Sequence, residues 1–311
     1  MKHMRFLTLG ILFAVALTGC AQPHSGKLRV VSTTGMINDI VQNIGGTHVE
    51  SKALMGPGVD PHLYKASEGD VQALGEAQVI FYNGLHLEAR MGEVLEGMSK
   101  RKKVVPVSQT IPSADLISPQ NYQGLHDPHI WFDVSLWSKA AEVVRDTLIH
   151  MDPAHKADYE MRAKTYIASL QKLDGDVKVA VQSLPPERRI LVTAHDAFGY
   201  FGRRYGMTVV GLQGVSTASE AGVQDVQRLA HLISERKIPA IFVESSIPER
   251  HIQAVQAATR ARGWNVKIGG QLFTDAMGTP GTPEGTYVGM VGHNVRTMVS
   301  ALAPSKMPGK P

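Results

Sequence analysis

No feature of this 311-residue sequence limits its fold more than the stretch between Pro153 and the Pro185-Pro186 pair. It reads as one long charged helix that begins near Pro153, runs to about Ser183 and is stopped by the two prolines. About 30 residues at ~1.5 Å each span about 45 Å, the size of a whole lobe. A rod of that length joins two halves as a stiff backbone, not as a flexible hinge. The expected division is an N-terminal α/β lobe over residues 28–150, the connecting helix over 151–187 and a second α/β lobe over 188–311. A content of 43% hydrophobic and 19% charged residues is ordinary for globular proteins and excludes a disordered or collagenous chain.

Within each half, strand-like and helix-like segments alternate. Leu28–Thr33, Val49–Met55, Val79–Tyr82 and Val104–Val107 read as strands. Met36–Gly45, Asp70–Glu76 and the amphipathic run His86–Ser99 read as helices between them. Residues 109–128 carry Pro112, Pro119 and Gly124 without periodicity, which predicts a long loop. Ser135–Met151 is helical. Beyond the long helix come strands over Arg189–Thr193, Thr208–Leu212, Ala240–Glu244 and Asn265–Ile268, then a last helix over Gly285–Leu302. This order predicts an α/β fold with two parallel-sheet lobes joined by one long α-helix and a cleft between them.

The chain has one cysteine, so it can form neither an internal disulfide nor a CxxC metal site. Cys20 follows Lys2 and Arg5, an apolar run from Phe6 to Leu17, and Leu17-Thr18-Gly19. The apolar run is about 12 residues, short of the roughly 20 that span a membrane. Residues 1–19 are therefore expected to be a signal peptide. The ending resembles a bacterial lipobox, which implies cleavage before Cys20, lipid attachment to its thiol, and residues 20–27 as a polar linker. A fortuitous Cys after a signal peptide is the plainer alternative. Net charge is +4, and loss of Lys2 and Arg5 leaves 30 Lys+Arg against 28 Asp+Glu, a net +2. That balance is too even for a nucleic-acid footprint.

Three of the 13 histidines stand where a predicted strand or turn meets a loop. His62 lies in Asp60-Pro61-His62-Leu63-Tyr64, His129 in Asp127-Pro128-His129-Ile130-Trp131, and His195 in Thr193-Ala194-His195-Asp196-Ala197-Phe198. Open α/β sheets gather ligands at strand ends. Proline fixes its own φ and holds the preceding Asp extended, so Asp-Pro-His aims its imidazole with little freedom left. Asp275, after the last strand, would complete a four-ligand site of three nitrogens and one oxygen suited to zinc and open to manganese. A strand-end His is more often a hydrogen-bonded structural residue, and Asp275 could equally be a helix N-cap. Asp60, Asp127, Asp196 and Glu244 are candidates to orient the imidazoles, or else turn formers and surface charges. His126 could reach the cleft or sit at its rim, and His86 reads as a surface or packing residue. Trp131 and Phe198 wall the site or belong to the core.

The lipobox, both Asp-Pro-His motifs, Thr193–Phe201, Leu212-Gln213-Gly214-Val215-Ser216, Glu244-Ser245-Ser246, Phe273-Thr274-Asp275 and Gly285-Thr286-Tyr287 occur in order over essentially the whole mature chain. Together they resemble the zinc- and manganese-binding lipoproteins of bacterial ABC importers, especially the TroA-like members. The resemblance implies two α/β lobes bridged by one helix, with Zn²⁺ or Mn²⁺ held between them by His62, His129, His195 and Asp275. It also implies an ABC permease and its ATPase as partners. The location implied is the cell envelope, with lipid anchorage at Cys20 on the periplasmic or extracellular face, and the chain is expected to be a monomer. Members carry His or Glu at the third ligand position, and this chain carries His. Many zinc-specific members have a long His- and acid-rich loop between the first two ligands. Residues 63–128 contain only His86 and His126, so that device is missing.

Four protein ligands would fill zinc's tetrahedron and leave no position for activated water, and no His-Glu-x-x-His helix is present. A carrier is therefore favoured over an enzyme. The stiff helix favours metal release by local motion of the loops around Asp275. A surface adhesin, a metal-dependent hydrolase and a haem or siderophore binder are the other readings. They would be marked by ligand-independent matrix binding, by activity lost with His195→Ala, and by a Soret band or chelate binding.

Overall fold

The computed structural model describes residues 26–304 except 121 and 123. Cys20 and the expected signal peptide lie outside the described residues. The N-terminal lobe runs β1 (Leu28–Ser32), α1 (Gly35–Gly45), β2 (Val49–Ala53), α2 (Glu68–Glu76), β3 (Val79–Tyr82), α3 (Gly92–Ser99) and β4 (Lys103–Pro106). Its strands form a parallel sheet in the order β2-β1-β3-β4. Helix starts follow local chemistry. The Thr34 hydroxyl accepts from the Ile37 N–H at the head of α1, and Ser67 and Asp70 form a reciprocal capping box on α2.

The run His86–Ser99 is where local pattern and structure part. Its regular helix begins only at Gly92, after a single 3₁₀ turn over Ala89–Met91. Gly84, Leu85 and His86 all have positive φ, of 82°, 54° and 66°. The buried Glu88 carboxylate explains the delay. It accepts from the N–H groups of Asn83 (2.6 Å) and Gly84 (3.3 Å) and from the Thr33 hydroxyl (2.7 Å). Satisfying that carboxylate outweighs continuing an amphipathic pattern backwards through His86.

Helices α4 (Val134–Met151) and α5 (Lys156–Gln182) follow the long loop. At 27 residues α5 is about 40 Å long. It buries Tyr159, Ala163, Tyr166, Leu170, Leu173, Val177 and Val181. That three-and-four spacing makes one apolar stripe, which packs on α1, α4 and later α9. The second lobe contains β5 (Ile190–His195), α6 (Gly199–Tyr205), β6 (Thr208–Gln213), α7 (Val223–Arg236), β7 (Ala240–Glu244), α8 (Arg250–Ala261), β8 (Lys267–Leu272) and α9 (Tyr287–Leu302). Two parallel pairs, β5-β6 and β7-β8, lie beside each other through β5 and β7.

Strand β8 continues past Ile268 through Gly269-Gly270, a pair that reads as a breaker. A Cβ on Gly269 would meet Phe242 at 2.8 Å and Ala301 at 2.7 Å, and Gly270 has φ 140° beside a register shift opposite Ile241–Val243. The glycines admit neighbours and a bulge within the strand instead of ending it.

Asp39 on α1 is buried and accepts a 2.8 Å hydrogen bond from Tyr166 of α5. Burial pushes its carboxyl up from 3.8 to about 6. The folded state therefore holds this proton more tightly than the unfolded chain, and stability falls as pH rises from about 4 to 6, by at most about 3 kcal/mol. Asp39→Asn should raise the melting temperature at pH 7 and flatten this part of the stability–pH curve, measured by thermal denaturation at several pH values.

Candidate metal centre

The four candidate ligands come from four loop or strand ends. His195 closes β5, Asp275 lies three residues past β8, His129 precedes the 3₁₀ turn that leads to α4, and His62 follows the turn after β2. The structure brings them together at the interface of the lobes, with all four residues buried. One ligand atom from each lies within 4.8 Å of every other.

Four of the spacings are close to the edges of a small coordination polyhedron. Asp275 Oδ2 lies 3.6 Å from His62 Nε2 and 3.3 Å from His195 Nε2, Asp275 Oδ1 lies 3.4 Å from His129 Nε2, and the Nε2 atoms of His62 and His129 are 3.2 Å apart. Ligand bonds of about 2.0–2.1 Å in a tetrahedron give edges of about 3.3–3.4 Å. His195 Nε2 and both Asp275 carboxylate oxygens are buried without a hydrogen-bond partner among the described residues. Three imidazole nitrogens and a carboxylate converging in one buried site are a donor set that fits a cation once the rings give up their protons.

Other carboxylates orient two of the imidazoles. His129 donates from Nδ1 to Asp127 Oδ1 at 2.7 Å, and the same oxygen accepts the His129 N–H at 2.9 Å. His195 donates from Nδ1 to Glu244 Oε2 at 2.6 Å, and its N–H bonds Oε1 at 3.0 Å. Both rings thus present Nε2 to the centre. Asp60 acts differently: it accepts the His62 N–H at 2.9 Å and bonds no ring nitrogen among the described residues. Asp196 makes no side-chain hydrogen bond to an imidazole among the described residues, although burial raises its pKa. His126 bonds the Ser118 hydroxyl at 2.9 Å, and exposed His86 stands outside the cluster.

Sequence reasoning missed several positioning groups. The Thr274 hydroxyl donates to Glu244 Oε2 at 3.0 Å, and Trp131 Nε1 donates to the Thr274 carbonyl at 3.0 Å. Asn294 of α9 clamps Phe273 through its N–H (2.9 Å) and carbonyl (2.6 Å). Asn83 donates to the Pro128 carbonyl at 2.9 Å. Trp131 is already a candidate wall of the site from its sequence and Thr274 stands beside Asp275, whereas Asn83 and Asn294 offer no signal. Trp131 stands edge-on to the His129 ring at 5.2 Å and so walls the site, whereas Phe198 packs on Phe132 at 4.2 Å.

The family model described as zinc-uptake complex component A, periplasmic (ZnuA), matches residues 30–301. The chain belongs to this family. It is 53% identical to the zinc-binding protein TroA of Treponema pallidum over 299 residues, covering 96% of each chain. It is 46% identical to the manganese-binding lipoprotein MntA of Bacillus subtilis over 302 residues, covering 95% of this chain and 98% of that one. The solved structure of the periplasmic zinc-binding protein TroA from Treponema pallidum superposes with a TM-score of 0.88 at 55% identity, over 90% of this chain and all of that one. This is a family of transport substrate-binding proteins and not of enzymes.

Protonation in the cluster is sharply divided. Burial and the charges of His129 and His195 push His62 down to about 3 against the pull of Asp275. Burial also opposes charge on His129, but Asp127 and Asp275 outweigh it and push the ring up to about 9. Glu244 and Asp275 likewise overcome burial and hold His195 well above 6.5. Against burial, the charged rings of His195 and His129 keep the Asp275 carboxyl well below 3.8. Nitrogen NMR of the metal-free protein should show His62 neutral at pH 5 and His129 charged until about pH 9. Equal titration of both rings near 6.5 would contradict this division.

Proposed function

We propose that this chain captures a divalent transition metal, Zn²⁺ or Mn²⁺, outside the cytoplasm and delivers it to an ABC import permease driven by its ATPase. One observation carries the reading: His62, His129, His195 and Asp275 converge from both lobes with one ligand atom of each within 4.8 Å of every other, and three of their buried polar atoms have no hydrogen-bond partner among the described residues. In this role the ion is cargo. Full occupation of a tetrahedron by protein ligands shields it from water and leaves no position for hydrolytic chemistry. The names of the Treponema pallidum and Bacillus subtilis relatives, zinc-binding and manganese-binding, support both ions as cargo. The donor set suits Zn²⁺, and the Irving–Williams order places Zn²⁺ above Mn²⁺ in affinity at such a site. Which ion is carried then depends on supply as well as on affinity.

Lipid attachment at Cys20 and a monomeric working state are part of the same proposal. Cleavage after residue 19 would leave a short linker, residues 20–27, between the membrane and β1. Among the described residues no helix is long and apolar enough to cross a membrane, consistent with anchorage through lipid.

Titration of the metal-stripped protein with Zn²⁺ or Mn²⁺ against a competing chelator should give one tight site per chain. Asp275→Ala should weaken it at least 100-fold, and Glu244→Gln by roughly 10–100-fold. Absence of a tight site for either ion would overturn the reading. An entering ion must displace the protons on His129 and His195, so affinity should rise with pH towards about 9 and fall on acidification. At pH 7 roughly two protons should be released per ion, measurable by calorimetry in buffers of different ionisation enthalpy.

A further inference from the structure

The two Asp-Pro-His turns share one backbone design and differ in what the aspartate does with its remaining hydrogen-bonding capacity. In both, the Asp Oδ1 accepts the N–H of the histidine two residues on, at 2.9 Å. Asp127 also grips the ring of its own histidine. Asp60 instead uses its second oxygen to accept a 2.7 Å hydrogen bond from the hydroxyl of Thr217. Thr217 is buried and lies in the loop between β6 and α7, on the opposite lobe. The same N-terminal loop leans on that lobe at Gly58, whose positive φ of 73° lets the chain pass the Ser245 carbonyl; a Cβ there would stand 3.4 Å from that oxygen.

The four ligands are consequently held unequally. His129 and His195 are fixed by carboxylates within the cluster, and Asp275 sits on a segment clamped by Asn294 and Trp131. The His62 ring bonds no carboxylate among the described residues; its turn is tied to the rest of the site through Asp60 and Thr217. Sequence reasoning places the release motion in the loops around Asp275, but these bonds favour the other side of the cleft.

We infer that Thr217 is a positioning residue whose hydroxyl, by latching Asp60 across the lobe interface, holds His62 in the site and sets how long a bound metal stays. Outward movement of the His62 loop breaks this bond and frees the His62 turn while the other three ligands keep their supports. The metal part of this inference rests on the function proposed above; the latch itself does not.

The test compares Thr217→Val, which keeps shape and removes the donor, with Thr217→Ser, which keeps the donor. In the metal-free full chain, hydrogen exchange over residues 58–64 should accelerate in Thr217→Val and match the wild type in Thr217→Ser, with residues 127–131 and 270–276 unchanged. With Zn²⁺ bound, chelator-driven release should be on the order of 10-fold faster in Thr217→Val and near wild type in Thr217→Ser, the association rate being unchanged. Unchanged exchange in Thr217→Val, equal effects of both variants, or unaltered release from a protein that does bind Zn²⁺ would overturn the inference. A wild type that bound no metal would instead sink the carrier reading, and the exchange arm would still decide the latch.

Discussion

Both oxygens of Asp275 face three imidazole nitrogens in a buried site, and neither accepts a conventional hydrogen bond among the described residues. Burying an ionised carboxylate with its neighbours' lone pairs turned towards it costs several kcal/mol unless a positive charge sits among them. Protons on His129 and His195 provide that charge in one state, and in the proposed carrier a divalent ion would provide it in the other. Exchange of protons for metal would then need little rearrangement, because the four ligand atoms already lie within 4.8 Å of one another. In the proposed carrier, capture and acid-sensitive release would both follow from the same electrostatic imbalance.

The scaffold serves that arrangement by holding donors from both lobes at fixed separation. Parallel strands deliver His195 directly and Asp275 three residues beyond a strand end, the place where α/β sheets present side chains to ligands. The α5 stripe packs on helices of both lobes, α1 and α4 from the first and α9 from the second, so the lobes share one apolar core. Hydrogen bonds cross between them as well: Tyr287 donates to the Trp131 carbonyl at 2.6 Å, and Tyr200 to the Asp127 carbonyl at 2.8 Å. Such ties leave small loop movements as the available motion, in keeping with a ligand turn held by a single cross-lobe bond at Asp60.

Much of this was legible in the sequence because the relevant signals are local. The alternation of β-branched runs and helical periods gave both lobes, and Pro153 with Pro185-Pro186 bracketed α5. The rigid Asp-Pro-His repeats drew attention to His62 and His129. Signals that depend on distant partners were not legible. The late start of α3 is set by Glu88 reaching Thr33 and Asn83, and the passage of β8 through Gly269-Gly270 is set by Phe242 and Ala301. Asp127 and Glu244 grip rings, whereas the similarly placed Asp60 and Asp196 do not. Nothing in the neighbouring residues distinguishes the two Asp-Pro-His turns; Asp60 turns its second oxygen to Thr217 of the opposite lobe, a partner remote in sequence.

X-ray absorption at the metal edge of the Zn²⁺-loaded protein tests the central claim most directly. The expected first shell is four nitrogen and oxygen neighbours at about 2.0–2.1 Å with the multiple-scattering signature of three imidazoles, reduced to two imidazoles in His195→Ala. A shell with fewer than three imidazoles in the wild type, or one unchanged by His195→Ala, would place the ion elsewhere and contradict a carrier site built from His62, His129, His195 and Asp275.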